Sequence, residues 1–523
     1  MEASRSRRGA LLLAAVSLAA VLAGFAGTWN GYFLTDDWQT LGYASQFHLA
    51  NSPHLFALGP GQLHWRPFSM ALWAFEYRLF GLDPVGYHLV KLGLHAGCAF
   101  LLGILARRLT GSTGTAVLAA TLLALHPLGS AAGIWISATH ENLLCLFFVG
   151  TLVALDQHVR GRRRIAPLVA GYVGAALSKE TGAMLPVVAL AYAFLLARPG
   201  EERRRALRAT AVLAGLALLY GGIRLLAGAV PGKGFALPSA ADLLWSLTVG
   251  PLRWLAAPVS EEAHSNPSTA IFAFALVTAV VLARWLAGGA REGRVALLGL
   301  LLVPVAMAPI APFFRSPSLG PEFWRALFAG HYLLVPTAGY ALALAVALAS
   351  AGGGGRIPWI PALLVVALFG ITLRRNHAPL VEAGEISGRF SKGIREHVPA
   401  RTAGNPVVVV FVARPSWRDG DRLRSGWHRG IRIDPGRPLQ VALEKRWPLP
   451  PYPTERGIPL EEVTRYLNGV EAAMPYKVLH YDGREKAIEA ARAATARGES
   501  LGEVVVLEWI ESERTLRRME IPR

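Results

Sequence analysis

The feature that most constrains this chain is a series of long apolar blocks separated by short arginine-rich clusters. A helix of about 20 apolar residues crosses a bilayer, because it satisfies its own backbone hydrogen bonds where water is absent. The chain is 53% hydrophobic and only 17% charged, which is too apolar for an ordinary soluble protein. The sequence therefore predicts a polytopic α-helical membrane protein.

The apolar blocks predict about eleven transmembrane helices. Several blocks are shorter than a full span, and such helices are tolerated when they are buried in a bundle or flank a re-entrant loop. The candidate spans lie near residues 9–27, 86–106, 114–126, 143–158, 165–178, 183–197, 206–228, 269–288, 294–312, 331–350 and 357–373.

The basic clusters predict the topology, because they recur at every second loop. They include residues 5–8, 158–164 and 198–208, whereas residues 28–65 contain no Lys or Arg. Lys and Arg accumulate in cytoplasmic loops. We therefore expect a multi-pass protein of the bacterial cytoplasmic membrane, with its N-terminus in the cytoplasm. The first outer loop, at about 28–85, and the C-terminus would both face outward.

The net charge of +18 raises the alternative of nucleic-acid binding. Most arginines, however, lie between apolar blocks, which is typical of loops beside anionic lipid. We therefore expect the lipid bilayer as a partner, and no nucleic acid. Two cysteines, Cys98 and Cys145, lie inside apolar blocks and form no disulfide framework or CxxC metal pattern.

The composition changes near residue 376, where the long apolar runs stop and Pro, Arg and Glu increase. Segments 405–413, 476–481 and 502–510 predict strands, and 484–498 has helical periodicity. We therefore predict a membrane module over 1–375 and a soluble, extracytoplasmic α/β domain over 376–523. Its basic and aromatic segment 414–430 is either a solvated loop or a surface for an anionic acceptor or lipid head groups.

Ionisable residues outside the cytoplasmic clusters are the candidates for function, because such groups are costly near a membrane. Asp36 and Asp37 lie in the first outer loop, in "GYFLTDDWQTLGYAS", and scattered cations lie in the later outer loops. That pattern suits a lipid phosphate held by Lys or Arg, with a carboxylate nearby as the base. Alternatively, the two acids are only a polar loop or the N-cap of a following helix.

Structural interpretations also exist for the cations. Lys179 and Glu180 would form an ion pair at a helix end, and His126 before Pro127 would be a helix stop. A further set shares one helical face and would consist of side chains that snorkel to the interface: His88, Lys91 and His95.

An ordered series of motifs resembles the GT-C integral-membrane glycosyltransferases, most closely the protein O-mannosyltransferase and TMTC-like branch and its bacterial relatives. The resemblance covers roughly residues 10–375. The acid pair is followed by "RP" at 66–67, "GYHLVKLGLHAGCAFLL" at 86–102, "HP" at 126–127, "WIS" at 135–137, "SKE" at 178–180 and "YLLVP" at 332–336.

The resemblance implies roles for these residues. Asp36 would be the catalytic acid of the first outer loop, with Asp37 in the second place of the pair. Lys179 would contact the donor phosphate, with Glu180 as a helper, and Arg66 would line the site. The donor-phosphate and substrate-binding set that we predict is Arg66, His95, His126, His140, Glu141, Lys179, Glu180, Arg325, His331 and Tyr332.

Two positions depart from the family pattern. His140 stands near the place of an arginine after "WIS", and His331 replaces the arginine before "YLLVP". Arg325, six residues before His331, would supply the missing cation. We find no second acidic motif that would complete a set of metal ligands, so we expect no cofactor, with a divalent cation as the less favoured alternative.

The sequence therefore predicts a glycosyltransferase that takes a sugar from a polyprenyl-phosphate donor at the outer face. The acceptor would be a protein, a lipid or a glycan. A transporter or flippase of a lipid-linked or anionic solute is the first alternative, although it should show two related halves with broken helices, and we find no such symmetry. A non-catalytic scaffold is the second alternative.

Overall fold

The computed structural model describes most of the membrane module and parts of the C-terminal region. The described residues are 2–34, 36–44, 56, 58, 65–162, 164–228, 240–247, 251, 255, 290–310, 330–351, 357–398, 407–413, 416–419, 422–425, 427–428, 431–432, 476–480, 483–496 and 504–520. The predicted span 269–288 lies outside them.

The described residues are mostly helical. The helices are α1 (Glu2–Gly24), α2 (Asp37–Ala44), α3 (Pro67–Phe80), α4 (Pro84–Thr110), α5 (Thr113–Leu125), α6 (Gly129–Ile134), α7 (Thr139–Val159), α8 (Ala166–Ser178), α9 (Leu185–Leu195), α10 (Glu201–Leu226), α11 (Ala240–Leu247), α12 (Ala290–Met307), α13 (Leu334–Ala351), α14 (Trp359–His397) and α15 (Arg484–Ala496). Short 3₁₀ turns at Thr28–Asn30, Ile136–Ala138, Glu180–Met184 and Gly330–Leu333 connect some of them.

Five helical segments of the described chain are long and apolar enough to cross a membrane. They are Arg7–Gly24, Pro84–Thr110, Ile136–Val159, Glu201–Leu226 and Trp359–His397. Shorter apolar helices, including α5, α8 and α13, pack with them around one continuous core of Leu, Ala and Val. A protein with several membrane-capable helices is therefore confirmed, and the number eleven stays a prediction.

Local chemistry explains where the helices near the site begin and end. Asp83 accepts a hydrogen bond from the Val85 amide, and Pro84 occupies the first turn of α4, where its missing N–H costs nothing. Helix α5 ends at Leu125, and His126 Nδ1 accepts from the Leu128 amide at 3.3 Å. The predicted helix stop at His126–Pro127 is thus confirmed.

The C-terminal region contains a four-stranded sheet of order β6-β1-β7-β8. Its strands are β1 (Val407–Ala413), β6 (Tyr476–His480), β7 (Val504–Ile510) and β8 (Thr515–Met519). Strand β1 is parallel to β6 and β7, and β8 is antiparallel to β7. Helix α15 packs on β1 and β7. Two short antiparallel pairs complete the strands: β2 (Ser416–Asp419) with β3 (Arg422–Ser425), and β4 (Trp427–His428) with β5 (Ile431–Arg432).

Helix α14 connects the two regions without interruption. It runs through residue 376, where the composition predicts a domain boundary, and continues to His397. Its first half carries exposed apolar side chains such as Ile360 and Leu364, and its second half is buried against both the membrane module and the sheet. The division into two domains stays a prediction.

Candidate active site

Helix α3 brings three side chains to the ends of α7 and α8. Arg66 immediately precedes α3 and donates to Glu180 Oε2 at 3.2 Å. Ser69 Oγ donates to the Ser178 carbonyl at 3.3 Å. The Trp73 ring meets the His140 ring edge-on, with centroids 6.4 Å apart. The sequence spacing of three and four residues places these groups on one helical face, so α3 fixes where the motif "SKE" meets the start of α7.

A buried ion pair forms the centre of this arrangement. Lys179 Nζ donates to Glu141 Oε1, and both side chains are only 1% exposed. Lys179 also lies 4.3 Å from the centroid of the Tyr332 ring, on its face. The ring of His140 donates from Nδ1 to the Ser137 carbonyl at 2.8 Å, which turns Nε2 towards Glu141 Oε1 at 3.3 Å. The structure thus brings four predicted site residues into one cluster.

A second, more accessible ion cluster adjoins the first. Glu180 lies between Arg66 and Arg224, whose Nη1 is 3.9 Å from Glu180 Oε1. Arg224 also donates to the Tyr220 hydroxyl at 3.2 Å. The side chains of Arg66, Glu180 and Arg224 are 14%, 22% and 15% exposed, so this cluster is accessible from solvent.

Arg224 is absent from the predicted set, although the sequence contains a signal for it. It is the only charged residue in the second half of the candidate span 206–228. An isolated arginine near the end of an apolar span is costly unless it faces a polar site. Its partners, Glu180 and Tyr220, are visible only in the folded chain.

The two acids of the predicted first outer loop have different environments. Asp36 is exposed, whereas Asp37 is 1% exposed. Asp37 accepts from the Leu34 amide at 2.8 Å through Oδ2 and from the Ser137 amide at 2.6 Å through Oδ1. Burial raises the pKa of Asp37, and the two backbone donors oppose that shift. Asp37 therefore anchors the loop to the 3₁₀ turn before α7, whereas Asp36 is open to solvent.

Tyr332 connects Asp36 with the charged clusters. Its phenol lies within electrostatic reach of Arg66, Glu141, Asp36 and Glu180. Asp36 and the charged side chains Arg66, Glu141 and Glu180 therefore act on the same tyrosine, although Glu141 and Glu180 lie more than 100 residues after Asp36 in the sequence.

Lys91 is a further buried cation beside the site. Its Nζ donates to Asn142 Oδ1 at 3.2 Å and to Thr139 Oγ1 at 3.5 Å, within the first turn of α7. Lys91 is fully buried, and the neighbouring His88 and His95 are 2% and 0% exposed. The interpretation as snorkelling side chains is therefore wrong, because a snorkelling group must reach the interface.

Three buried histidines form hydrogen bonds with backbone carbonyls. His88 donates to Gly31 at 2.9 Å, His95 to Ala124 at 3.3 Å and His126 to Leu255 at 3.2 Å. His126 is further enclosed by the rings of Tyr340 and Phe369. These contacts join helix ends to loops, and a role for His95 and His126 in donor binding stays a prediction.

Two predicted residues are not placed at the level of side chains. Arg325 lies outside the described residues, and only the backbone of His331 is described, in the turn Gly330–Leu333. Within the described part of the chain, no group of three or more His, Cys, Asp or Glu side chains has the arrangement of a metal site. Metal dependence stays a prediction.

Residues 66–221 match the protein family described as dolichyl-phosphate-mannose-protein mannosyltransferase. The predicted resemblance to the GT-C glycosyltransferases is confirmed. The matched segment contains both ion clusters except for Arg224 and Tyr332, and the acid loop precedes it.

Two curated O-mannosyltransferases illustrate this GT-C similarity. The chain is 25% identical over 134 residues to protein O-mannosyl-transferase Tmtc1 of Drosophila melanogaster. It is 30% identical over 134 residues to protein O-mannosyl-transferase tmtc2 of Xenopus laevis. Each match covers 26% of this chain and 14% of the relative, so the chain spans only a small part of their length.

Solved GT-C structures resemble the chain loosely. ArnT from Cupriavidus metallidurans in the apo state has a TM-score of 0.39 at 13% identity, covering 96% of this chain and 93% of ArnT. The S. cerevisiae Pmt1–Pmt2 complex bound to the sugar donor has a TM-score of 0.32 at 14% identity, covering 46% of this chain and 36% of that one.

Proposed function

We propose that this chain is a membrane glycosyltransferase that uses a polyprenyl-phosphate-linked sugar. The observation that carries the proposal is the pair Arg66 and Arg224 on either side of Glu180, with the exposed Asp36 within electrostatic reach of Tyr332, as Arg66 and Glu180 are. A cation site with an accessible carboxylate beside it suits displacement at a sugar phosphate.

The charge of the clusters supports a phosphodiester as the ligand. Three cations, Arg66, Lys179 and Arg224, and two carboxylates, Glu141 and Glu180, leave one net positive charge. A polyprenyl-phosphate sugar carries one negative charge. Arg66 and Arg224 are partly exposed and would contact the phosphate directly. Lys179 is buried in its ion pair with Glu141, so it would attract the phosphate only through longer-range electrostatics.

An apolar groove between α4, α7 and α8 supports a lipid carrier. It encloses about 490 Å³, and three of its lining residues are glycines, Gly97, Gly150 and Gly171. Phe147, which also lines it, contacts Phe68 of α3 with ring centroids 6.0 Å apart. A polyprenyl chain in this groove would therefore reach α3, the helix that Arg66 immediately precedes.

The proposed reaction is a direct displacement. The Asp36 carboxylate takes the proton of the acceptor hydroxyl, and the acceptor oxygen forms a bond to the anomeric carbon. The bond between that carbon and the phosphate oxygen breaks, and polyprenyl phosphate leaves with the electron pair. A single displacement inverts the configuration at the anomeric carbon. The acceptor would be a protein, a lipid or a glycan at the outer face of the bacterial cytoplasmic membrane.

Substitution of Asp36 tests this proposal. Asp36→Asn should reduce transfer by about 10²- to 10⁴-fold, because the base is lost while the donor site is intact. Binding of the polyprenyl-phosphate donor should be unchanged in Asp36→Asn and weakened in Arg224→Gln. Asp83→Asn is the matched control, since Asp83 is another outer-loop acid whose capping role Asn also fulfils.

Mass spectrometry of glycolipids, glycans and proteins from cells with and without the protein would identify the sugar and acceptor. Once the product is known, wild-type rates of its formation in Asp36→Asn membranes would refute the assignment of the base. No difference in any fraction would instead refute the glycosyltransferase itself.

A further inference from the structure

Helix α14 contacts the backbone of residues 31–34, which lead directly to Asp36. Ser387 Oγ donates to the Phe33 carbonyl at 2.6 Å. Three residues earlier, Gly384 packs on the loop so closely that a Cβ there would lie 2.9 Å from the Tyr32 amide nitrogen and 3.2 Å from Gly31 Cα. Only a residue without a side chain allows this approach.

The membrane module holds the same four residues from the other side. His88 of α4 donates to the Gly31 carbonyl, and the Leu34 amide donates to Asp37. Asp37 in turn binds the Ser137 amide. Residues 31–34 are therefore clamped between α14 on one side and α4 and the turn before α7 on the other, and the position of Asp36 depends on both.

The C-terminal sheet packs on α14 on both sides of this contact, from Glu382 to His397. Arg514, in the turn between β7 and β8, donates to Glu382 Oε1 of α14 at 2.7 Å. Phe390 packs against Trp509, with ring centroids 5.6 Å apart. His397 donates from Nε2 to the Leu516 carbonyl at 3.2 Å. The sheet and the second half of α14 thus share one apolar core, which also includes Ile394.

We infer that the C-terminal sheet acts through α14 as a positioning element for the outer-loop acid, with Gly384 and Ser387 as the positioning residues. The inference rests on the proposed function only in its consequence for transfer. The mechanical part, that α14 and the sheet order residues 31–34, holds or fails independently of any activity.

Gly384→Ala tests the contact with the loop, and Gly370→Ala on the same helix is its matched control. A Cβ at Gly370 meets only the Leu125 side chain at 4.0 Å, so both variants gain the same helix propensity and only one meets backbone. Gly384→Ala should displace the loop by a few tenths of an ångström and lower kcat about tenfold at unchanged donor KM. Gly370→Ala should match the wild type.

Hydrogen exchange provides the readout that does not need activity. In lipid nanodiscs, amides in the peptide covering residues 28–44 should exchange faster in Gly384→Ala and in Ser387→Ala, which deletes the bond to Phe33. Arg514→Gln should accelerate exchange about threefold, because it removes one partly exposed ion pair between sheet and helix. Arg517→Gln, in an exposed pair with Glu513, should change nothing in that peptide.

Equal protection of residues 28–44 in the wild type, Ser387→Ala and Arg514→Gln would overturn the inference, whatever the activities are. If Gly384→Ala lowers the melting temperature strongly, Ser387→Ala alone decides the contact. If those variants exchange faster but Asp36→Asn is fully active, the positioning of residues 31–34 by α14 is supported and the assignment of Asp36 as the base is refuted. If residues 28–44 exchange faster in Gly384→Ala and Ser387→Ala but both variants keep the wild-type kcat, the link between loop position and sugar transfer is overturned.

Discussion

The buried pair of Glu141 and Lys179 allows a prediction in which stability and activity respond differently. In Glu141→Gln the positive charge of Lys179 stays in place, 1% exposed, with the Tyr332 ring face beside it and Arg66 nearby as a like charge. Leaving one partner of a buried pair uncompensated costs about 3–5 kcal/mol of unfolding free energy. We therefore expect Glu141→Gln to lower the melting temperature in detergent or nanodiscs substantially.

The double variant Glu141→Met/Lys179→Met removes both charges and keeps much of the buried volume. Replacing a buried ion pair by apolar residues is neutral or stabilising by about 1–4 kcal/mol. We expect its stability to return to the wild-type value or above it, while sugar transfer stays at the level of the single variant. Chemical denaturation, scored by tryptophan fluorescence, measures the first quantity, and product formation measures the second.

The control for this experiment is Arg205→Gln, which breaks an exposed pair with Glu201 on α10 and should cost less than about 0.5 kcal/mol. The reasoning fails if Glu141→Gln is as stable as Arg205→Gln. It also fails if the double variant is as unstable as the single one. Recovery of activity together with stability in the double variant would show that the pair is structural only.

Two more predictions concern other buried acids. Glu76 of α3 is 1% exposed, and burial raises its pKa to about 8. Between the ordinary pKa of a glutamic acid, 4.5, and pH 8, this side chain is therefore protonated in the folded protein and ionised in the unfolded chain. This contribution to stability should fall across pH 4.5–8, and Glu76→Gln should remove it and exceed the wild type at pH 9 by about 5 kcal/mol, as melting curves at several pH values would show. Asp156 accepts from Arg108, Arg160 and Tyr192 at 2.7, 2.8 and 2.7 Å, and Asp156→Asn should cost about 2–4 kcal/mol. An Asp156→Asn variant that melts with the wild type would contradict this account of how α4, α7 and α9 are joined.

Local features of the chain were sufficient to predict many of its elements. The apolar run predicted at 206–228 forms all but the first five residues of the helix Glu201–Leu226, which begins in the charged residues before the run. The valine-rich segments 405–413 and 502–510 coincide with the parallel strands β1 and β7. Both succeed because hydrophobic period and β-branched content act over a few neighbouring residues. Where a charged segment begins the helix, as in α10, the apolar pattern marks the start of the helix too late.

The site could be predicted as a set of residue types but not as a set of pairs. The motif "SKE" indicates that Lys179 and Glu180 belong to it, yet their partners Glu141, Arg66 and Arg224 come from three other helix ends. Which of two adjacent acids is buried also depends on Ser137, 100 residues away in the chain. No local pattern encodes such distances.

The sequence by itself determined that this protein is a helical membrane protein that resembles the GT-C glycosyltransferases, with acids in its predicted first outer loop and cations in later ones. Hydrophobic length and charge placement suffice for that, because water and lipid sort residues by type. Only the tertiary structure decided that Asp36 is exposed while Asp37 is an anchor, and that Arg224 completes the cation pair. It also decided that His95 and His126 bind carbonyls. Burial and hydrogen-bond partners are properties of the packed helices, since each buried polar group must find its partner wherever the fold brings one within about 3 Å.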